Sequence, residues 1–278
     1  MIAALVLEFP ELSRVRICRL LKISRSESYR KPAAKAGSLT HAIEAIVMKF
    51  LGYGYRRVHR ELLAQGVSVS CHQVRKTMRE EGLSLRSTKP KGITKSNPKD
   101  PKHENLLRRY EPERIDEIWV TDMTQIRTRS GPVYLASLMD LFSRKIVSYS
   151  LSRNPDGMLA LRCLNLALER RRPAQGWIHH SDQGSVYTAS EYVARVRAAG
   201  GRMSMSRPAR PTDNPHAESL FATLKKEAIK GNQFETLIDL ELSLSDYIDG
   251  IYNPKRMHSS LGYLSPDQFE ARSGEVGE

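Results

Sequence analysis

The chain has 278 residues, 40% of them hydrophobic, which is enough for one large domain or for two or three small domains with buried cores. Its 44 Lys and Arg residues outnumber its 31 Asp and Glu residues, which gives a net charge of +13. No apolar run approaches the length of a membrane span. The three cysteines are far apart and form no CxxC pattern, which argues against a disulfide framework or a zinc cluster and fits a reducing cytoplasm.

The positive charge is concentrated in the first part of the chain. Residues 1–110 contain 23 basic and 9 acidic residues, a net of +14, whereas residues 111–278 contain 21 and 22, a net of −1. A basic front on a neutral body is typical of a polyanion-binding module joined to a second unit. The alternative is a protein that is basic without having a nucleic-acid partner.

The first predicted unit is a helix-turn-helix-like segment over residues 1–36. Within it, residues 11–30 predict two short helices separated by a turn, and the second helix is basic, with Ser24 or Ser26 as its N-cap. A short helix, a turn and a basic helix are typical of a helix-turn-helix.

A second helix-turn-helix unit is predicted over residues 37–86. It contains helices over 40–51 and 56–64, and a third helix that follows a turn at Ser70 and ends before Gly82. We expect its basic side chains to contact DNA, namely Arg56, Arg57, Arg75, Lys76 and Arg79. The alternative is an amphipathic helical bundle with a solvated basic face. Residues 87–109 are rich in Pro, Lys, Ser and Asn and predict a basic linker.

The third unit, residues 110–278, begins with three predicted β-strands. The stretches "EIWVTDMTQIRT" and "PVYLASLMDLFSRKIVSYSLS" contain short β-branched and aromatic runs, broken by turns at 130–131 and 143–144. Two further strands are predicted at "GWIHHSD" and "RMSMS".

Helices are predicted between and after these strands. One covers residues 156–172, with Leu159, Cys163, Leu166 and Leu168 facing the core. Another covers "TASEYVARVRAAG", with Thr188 or Ser190 as its N-cap, and a third follows "TDNP". Strands and helices in this order predict a mixed α/β domain.

Three acids of this domain lie in a predicted strand, at the end of another strand and near the start of a predicted helix. Asp122 lies within the first strand, Asp182 ends the "WIHHSD" strand, and Glu218 lies in the first turns of the helix that Asp213 or Asn214 caps. If neighbouring strands and a packed helix bring them together, the carboxylates need cations. Hard oxygen ligands that leave open coordination positions on the metal suit Mg²⁺ or Mn²⁺. Two such ions can catalyse phosphoryl transfer.

The alternative is that the three acids are unrelated. Asp122 can be a solvated strand residue, Asp182 a turn former, and Glu218 a first-turn acid favoured by the helix dipole. The histidines do not occur at the spacing that is typical of zinc ligands. His180 is interpreted as a support residue, and His258 as structural.

Several stretches resemble one known family. They are "WVTDMT", "HHSDQGSVY", "SMSRPARPTDNPHAESLFATLKKE", "YNPKRMHSSLGYLSPDQFE" and "GYGYRRVHRELLAQGVSVSCHQVRKTMREEGL". They resemble the integrase-like transposases of bacterial insertion sequences, specifically the second-frame protein of the insertion sequence three family. The resemblance spans about residues 15 to 270. One departure is "RPARPTDN", which stands where many relatives carry a Gly-Asn-rich turn.

The resemblance implies a ribonuclease-H-like fold, an α/β integrase core preceded by all-α helix-turn-helix units. It implies a catalytic triad of Asp122, Asp182 and Glu218 that binds two Mg²⁺ ions, for which Mn²⁺ can substitute. It also implies a basic residue seven positions after the glutamate, here Lys225, as a further catalytic residue that contacts the phosphate or the terminal base of a bound DNA end. Helical periodicity agrees independently, because seven residues are about two turns and place Lys225 on the face of Glu218. The alternative for Lys225 is an ordinary solvated lysine.

The expected function is therefore that of a DDE transposase. It would bind the terminal inverted repeats of an insertion sequence and target DNA, and catalyse strand cleavage and strand transfer. The resemblance further implies a homo-oligomer on DNA, a bacterial nucleoid location, and an upstream helix-turn-helix and zipper protein joined by frameshifting. Two alternatives are a catalytically retired transposase that regulates as a DNA-binding protein and a nuclease on the same fold.

Overall fold

The structure is a computed structural model that describes residues 36–83, 103–108, 110–207 and 214–275. The helix-turn-helix-like segment expected over residues 1–36 lies outside the described residues, except for residue 36. Most of the expected linker at 87–109 also lies outside them.

The first described part is a unit of three helices, called here the helical unit. Its helices are α1 (Ala36–Lys49), α2 (Tyr55–Ala64) and α3 (Cys71–Glu80). Their apolar faces form one core: Leu39, Ile43, Ile46, Phe50, Tyr53, Val58, Leu62, Val74 and Met78. This unit therefore has a hydrophobic core of its own.

The ends of α2 and α3 follow the predicted signals. The Ser70 hydroxyl accepts a hydrogen bond from the Gln73 N–H at 3.2 Å, and the Gln73 side chain accepts one from the Ser70 N–H at 3.2 Å. This reciprocal capping box starts α3. Gly66 and Gly82 follow α2 and α3 with φ of +79° and +67°, a conformation that glycine adopts without steric cost.

A five-stranded sheet forms the centre of the second part. The strands are β1 (Ile118–Thr128), β2 (Gly131–Asp140), β3 (Ile146–Ser152), β4 (Ile178–Ser181) and β5 (Arg202–Met205), in the order β3-β2-β1-β4-β5. The pairs β1–β2 and β2–β3 are antiparallel, and β4 and β5 are parallel to β1. All five predicted strands are confirmed.

Helices cover both faces of this sheet. On one face lie α4 (Gly157–Arg170), α5 (Ser185–Thr188) and α6 (Ser190–Ala198), and on the other lie α7 (Pro215–Leu224) and α8 (Leu237–Tyr247). The helix α7 continues as a π-helix (Lys225–Ile229), and α8 continues as a π-helix (Ile248–Tyr252) into α9 (Asn253–Lys255). The 3₁₀-helix Ser259–Leu261 and α10 (Pro266–Glu275) follow.

Two details of these helices differ from prediction. In α4, Leu159 and Cys163 are buried as expected, but Leu166 and Leu168 are only partly buried. Ala160, Leu164 and Ala167 complete the buried face instead, because positions one, four, five and eight after Leu159 share one side of a 3.6-residue helix.

The predicted N-cap of α6 is wrong. Ala189 holds that position without a side-chain hydrogen bond, while the Thr188 hydroxyl donates to the Ser185 carbonyl in α5 at 3.2 Å. A short helix therefore precedes α6 where we expected only a turn.

The described end of the expected linker packs against the sheet edge. A 3₁₀-helix (Leu106–Arg108) lies there, the Leu106 N–H donates to the Ser204 hydroxyl at 2.9 Å, and Asn105 is buried. Within the described ranges, no helix has both the length and the apolar character needed to cross a membrane.

Candidate active site

The first two candidate acids lie on neighbouring parallel strands. Val120 in β1 pairs with His180 in β4. Continuing that register by two residues places Asp122 beside Asp182, on strands about 4.8 Å apart. Since both acids are an even number of residues from a paired position, their side chains leave the same face of the sheet.

The third acid comes from the helix on that face. Ile118 and Val120, which alternate with Asp122 along β1, share a core cluster with Leu220 and Phe221 of α7. Glu218 lies on α7 and is exposed. The strand face that carries Asp122 is therefore the face that α7 covers.

The start of α7 is tied directly to β1. Pro215 is the first residue of α7, as predicted, and Asn214 holds the N-cap position. The Asn214 side chain does not cap the helix; its Nδ2 donates to the Thr121 carbonyl at 3.4 Å. This bond fixes the beginning of the helix of Glu218 next to Asp122. Asp213, the other predicted cap, lies outside the described residues.

The turn after β4 positions Asp182. Its Oδ1 accepts a hydrogen bond from the Gly184 N–H at 2.9 Å. The Gln183 side chain donates to the Ser206 carbonyl at 2.9 Å and so joins this turn to the segment after β5. This turn therefore places Asp182 at the end of β4, and the chain then continues into α5.

The acids influence one another electrostatically. Burial, followed by the charges of Asp182 and Glu218, raises the pKa of Asp122 to about 7. The Met123 N–H, which donates to Asp122 Oδ1 at 2.7 Å, and the Lys225 ammonium act in the opposite direction. The structure therefore brings together all four residues predicted to form the catalytic group: Asp122, Asp182, Glu218 and Lys225.

The donor set fits a hard divalent cation. Among the described residues, no three His, Cys, Asp or Glu side chains form a ready-made metal-binding group. Burial and the charges of Asp182 and Glu218 oppose the ionisation of Asp122, and a cation bound at these acids would offset both effects. Asp122 and Asp182 are partly exposed and Glu218 is exposed, and carboxylate oxygens that leave room for bound water are the ligands that Mg²⁺ and Mn²⁺ take.

Lys225 keeps the orientation expected from helical periodicity. Its backbone is helical, with φ −60° and ψ −36°, so it lies two turns beyond Glu218. Burial lowers the pKa of Lys225, and the nearby Asp122 charge raises it. Burial also lowers the pKa of Lys226, but the charges that act on it are those of Glu227, which raises the pKa, and of Arg57 and Arg256, which lower it. The two adjacent lysines therefore face different surroundings.

The histidines next to Asp182 support the strand. His180 is fully buried, with Nδ1 2.8 Å from the Ser204 hydroxyl and Nε2 3.1 Å from the Ser206 hydroxyl. His179 is also buried, and burial lowers its pKa to about 3. The predicted support role of His180 is confirmed. The His258 ring packs edge-on against Tyr252 with the ring centres 5.1 Å apart, and its backbone N–H donates to the Leu264 carbonyl at 3.0 Å, which fits the predicted structural role.

Four of the five predicted DNA-contacting residues are exposed on the helical unit. The guanidinium groups of Arg56 and Arg75 lie 5.2 Å and 5.5 Å from the ring centre of Tyr55, which holds them side by side. Lys76 and Arg79 are exposed on α3, and Lys76 forms a 3.9 Å ion pair with an acid one turn on. Tyr55 was not predicted, although an aromatic residue directly before two arginines is a usable signal.

Arg57 lies elsewhere. It is half-buried, its guanidinium lies 5.6 Å from the ring centre of Tyr53, and burial with the charge of Arg256 lowers its pKa. Because α2 turns this side chain toward the second part of the chain, its position favours a role in that contact over the expected contact with DNA.

Two residues that meet at the start of α7 were missed from the sequence. Arg144, in the β2–β3 turn with φ +61°, places Nη1 2.6 Å from Nδ1 of His216. Burial and Arg144 lower the pKa of His216 to about 4, so a neutral ring accepts this bond. Both residues line a cavity of about 590 Å³, together with Arg108 and Tyr110. No spacing signal in the sequence joins residues this far apart.

Comparisons with known proteins support the fold described above. The chain matches the integrase core domain family over residues 112–211, a second integrase core family over 199–266, and an HTH-like domain family over 36–91. The intasome of simian T-cell lymphotropic virus has a similar fold, with a TM-score of 0.50 at 14% identity over 82% of this chain and 74% of that one.

Similar full-length sequences come from bacterial insertion sequences. The transposase for insertion sequence element IS904 of Lactococcus lactis is 36% identical over 84% of this chain and 93% of its own length. The transposase InsF for insertion sequence IS3A of Escherichia coli is 32% identical over 95% of this chain and 96% of its own length. The chain therefore belongs to the IS3 family of insertion-sequence transposases, DNA transposases with an integrase core of the ribonuclease-H-like fold.

Proposed function

We propose that this transposase binds the terminal inverted repeats of an insertion sequence and catalyses metal-dependent cleavage and transfer of DNA strands. The observation that carries the proposal is the register of β1 and β4, which sets Asp122 beside Asp182 under the helix of Glu218. Three carboxylates in one cleft with a lysine form a site for a phosphodiester and divalent cations.

The proposed ligands of two Mg²⁺ ions, or of Mn²⁺ in their place, are Asp122, Asp182 and Glu218. When bound, such ions act as Lewis acids that activate an attacking oxygen and stabilise a leaving oxygen. The protein holds the carboxylates in place through the Asn214 bond to Thr121 and the Asp182 bond to Gly184.

Lys225 is proposed to contact a phosphate of the bound DNA end. Its ammonium is close enough to Asp122 to lower the pKa of that carboxyl, and it follows Glu218 along the same helical face. A fixed cation beside the cleft offsets phosphate charge and orients the strand.

The attacking oxygen is proposed to come from water in cleavage and from a DNA 3′-hydroxyl in strand transfer. The protein need not supply a nucleophile. Tyr187, whose charge coupling to Asp122 and Asp182 places it near the acids, is fully buried and does not face the cleft where DNA would lie.

The helical unit is proposed to hold the DNA end. Its exposed residues Arg56, Arg75, Lys76 and Arg79 suit phosphates and base edges. The proposed division of the chain is two DNA-binding units at 1–36 and 37–86, a linker at 87–109 and the catalytic core at 110–278. Assembly of several copies on DNA, and fusion to an upstream partner by frameshifting, belong to the same proposal, as does a site of action at the bacterial nucleoid.

The test uses substitutions that keep shape and remove charge. Asp122→Asn, Asp182→Asn and Glu218→Gln should each reduce Mg²⁺-dependent cleavage of a labelled terminal-repeat duplex to background, with DNA affinity unchanged. Glu191→Gln, at an exposed acid of α6, is the matched control and should cleave like the wild type.

The outcomes separate the competing functions. Cleavage that survives in one of the three variants removes that residue from the proposed site. A wild-type protein that binds the repeats in Mg²⁺ or Mn²⁺ without cutting them would support the retired, regulatory transposase instead.

A further inference from the structure

Two short motifs almost 200 residues apart meet in the structure. They are "GYGYRR" (52–57), before and within α2, and "YNPKRMH" (252–258), around α9. Tyr53 is buried; its hydroxyl accepts a hydrogen bond from the Met257 N–H at 2.9 Å and donates to the Lys255 carbonyl at 3.5 Å. The helical unit is therefore in direct contact with the C-terminal part of the chain.

A buried ion pair lies beneath this contact. Arg256 donates through Nε and Nη2 to the two carboxylate oxygens of Glu227, both at 2.8 Å, and each side chain is only 4% exposed. The Tyr247 hydroxyl also donates to Glu227. A guanidinium that meets a carboxylate through two parallel bonds fixes orientation as well as distance.

The helical unit closes over this pair at Gly52. A Cβ at this position would overlap the Cγ, Cδ and Oε1 atoms of Glu227. Gly52 has no positive φ, so its backbone accepts alanine and only the space forbids a side chain. Glu227 cannot yield easily, because moving it breaks its bonds to Arg256 and Tyr247.

Glu227 also belongs to the helix that builds the cleft. It lies in the π-helix that continues α7, two residues after Lys225 and nine after Glu218. The surface on which the helical unit rests is therefore the far end of the element that carries two of the four candidate active-site residues. Arg60 adds a second contact, with its guanidinium 4.8 Å from the ring centre of Tyr263.

We propose that Gly52, Tyr53, Glu227 and Arg256 form an interdomain lock that fixes the helical unit relative to Glu218 and Lys225. The lock rests on the proposed function: DNA held by the helical unit then reaches the carboxylates at a set distance from its recognised sequence. Glu227 and Arg256 act as positioning residues and touch neither DNA nor metal.

The matched variants are Gly52→Ala and Gly54→Ala in the full chain. Among the described residues, no heavy atom lies within 4 Å of a Cβ built on Gly54, and that glycine has no positive φ. Hydrogen exchange read by mass spectrometry should show faster exchange over 52–58, 225–229 and 255–258 in Gly52→Ala. Exchange in Gly54→Ala should match the wild type. Unchanged exchange in Gly52→Ala would refute the contact, whatever the activity.

Cleavage then tests what the contact does. Gly52→Ala should bind terminal-repeat DNA within about threefold of the wild type, yet cleave the repeat end about 10- to 100-fold more slowly and at scattered positions, the range expected for misplaced reacting groups. Gly54→Ala should cleave at the wild-type rate and position. If wild-type protein does not cleave, the proposed function fails; if Gly52→Ala cleaves at the wild-type rate and position, only the lock fails.

A third variant traces the effect to Glu227. If the clash with Glu227 is the cause, Gly52→Ala combined with Glu227→Ala should cleave no more slowly than Glu227→Ala alone, because the new methyl group then has room. Fully additive losses would show that Gly52 acts through another neighbour and would overturn the assignment.

Discussion

Lys225 gives the sharpest test of the proposed cleft, because the chain supplies its own control. Lys225 and Lys226 are adjacent and both partly buried, yet the charge of Asp122 raises the pKa of Lys225, whereas the charges that affect Lys226 are those of Glu227, Arg57 and Arg256. Replacing each by alanine removes the same groups from two directions about 100° apart around one helix. A role in DNA cleavage predicts unequal effects.

The expected size follows from the contact that is lost. A hydrogen bond to a charged group contributes about 1.5–3 kcal/mol. At about 1.4 kcal/mol per tenfold change in rate, Lys225→Ala should slow cleavage roughly 10- to 150-fold. Partial burial keeps this contact less screened by solvent than a surface pair. Lys226→Ala should slow cleavage clearly less than Lys225→Ala, because the charges that act on Lys226 are those of Glu227, Arg57 and Arg256 and not that of Asp122.

The assay is single-turnover cleavage of a labelled terminal-repeat duplex at saturating protein, with Mg²⁺ titrated for each variant. Lys225→Arg should recover part of the rate, because it restores the charge, and the Mg²⁺ dependence should match the wild type in all three variants. Equal losses from both alanine variants, or no loss from Lys225→Ala, would show that α7 faces another way. The placement of Glu218 would then fail with it.

Two further predictions concern binding and acid stability. Replacing Arg56 and Arg75 by alanine should lower the affinity for terminal-repeat DNA, measured by fluorescence anisotropy. The slope of log K against log salt concentration should become shallower by about one unit for each phosphate contact that is lost. An unchanged slope would show that these two residues do not contact DNA. Burial lowers the pKa of His179 to about 3 from its ordinary 6.5, so the unfolded chain binds more protons than the folded chain between these pH values. The contribution of His179 to the free energy of unfolding is therefore fully present above pH 6.5 and is lost as the pH falls toward 3. The loss is up to about 1.4 kcal/mol per pH unit. In urea titrations across this window, His179→Gln should show a shallower pH dependence than the wild type, and an identical slope would contradict the assignment.

The elements of the fold were predictable because their signals are local. A run of β-branched and aromatic residues marks β1, Gly66 and Gly82 end their helices, and Pro215 starts α7. The cleft was predictable for a related reason: strand ends and helix starts are where a folded chain presents carboxylates. The parallel pairing of β1 and β4 then needed only register to bring Asp122 and Asp182 together.

What the sequence did not reveal depends on tertiary contact. Arg57 is indistinguishable from Arg56 in the sequence, yet one packs over Tyr53 and the other is exposed, because the helical unit rests on the core on one side only. Arg144 pairs with His216, which lies 72 positions further along the chain. Glu227 fills the space beside Gly52, which lies 175 positions before it. Periodicity describes which face of a helix is apolar, and it contains no information about what another element brings to that face.

The helix α7 with its π-helical continuation explains how one element can serve two sites. At about 100° per residue, Lys225 returns to within about 20° of Glu218 after seven residues, so both face Asp122. Two residues further, within the π-helix, the Glu227 carboxylate contacts Arg256 and fills the space beside Gly52. The π-helix begins between these functions, at Lys225, and single π turns within α-helices occur often at functional sites. In the proposed lock, a displacement of the helical unit at Gly52 acts on Glu227 and so on the helical turn that holds Lys225, which is why a single methyl group at Gly52 is expected to affect cleavage.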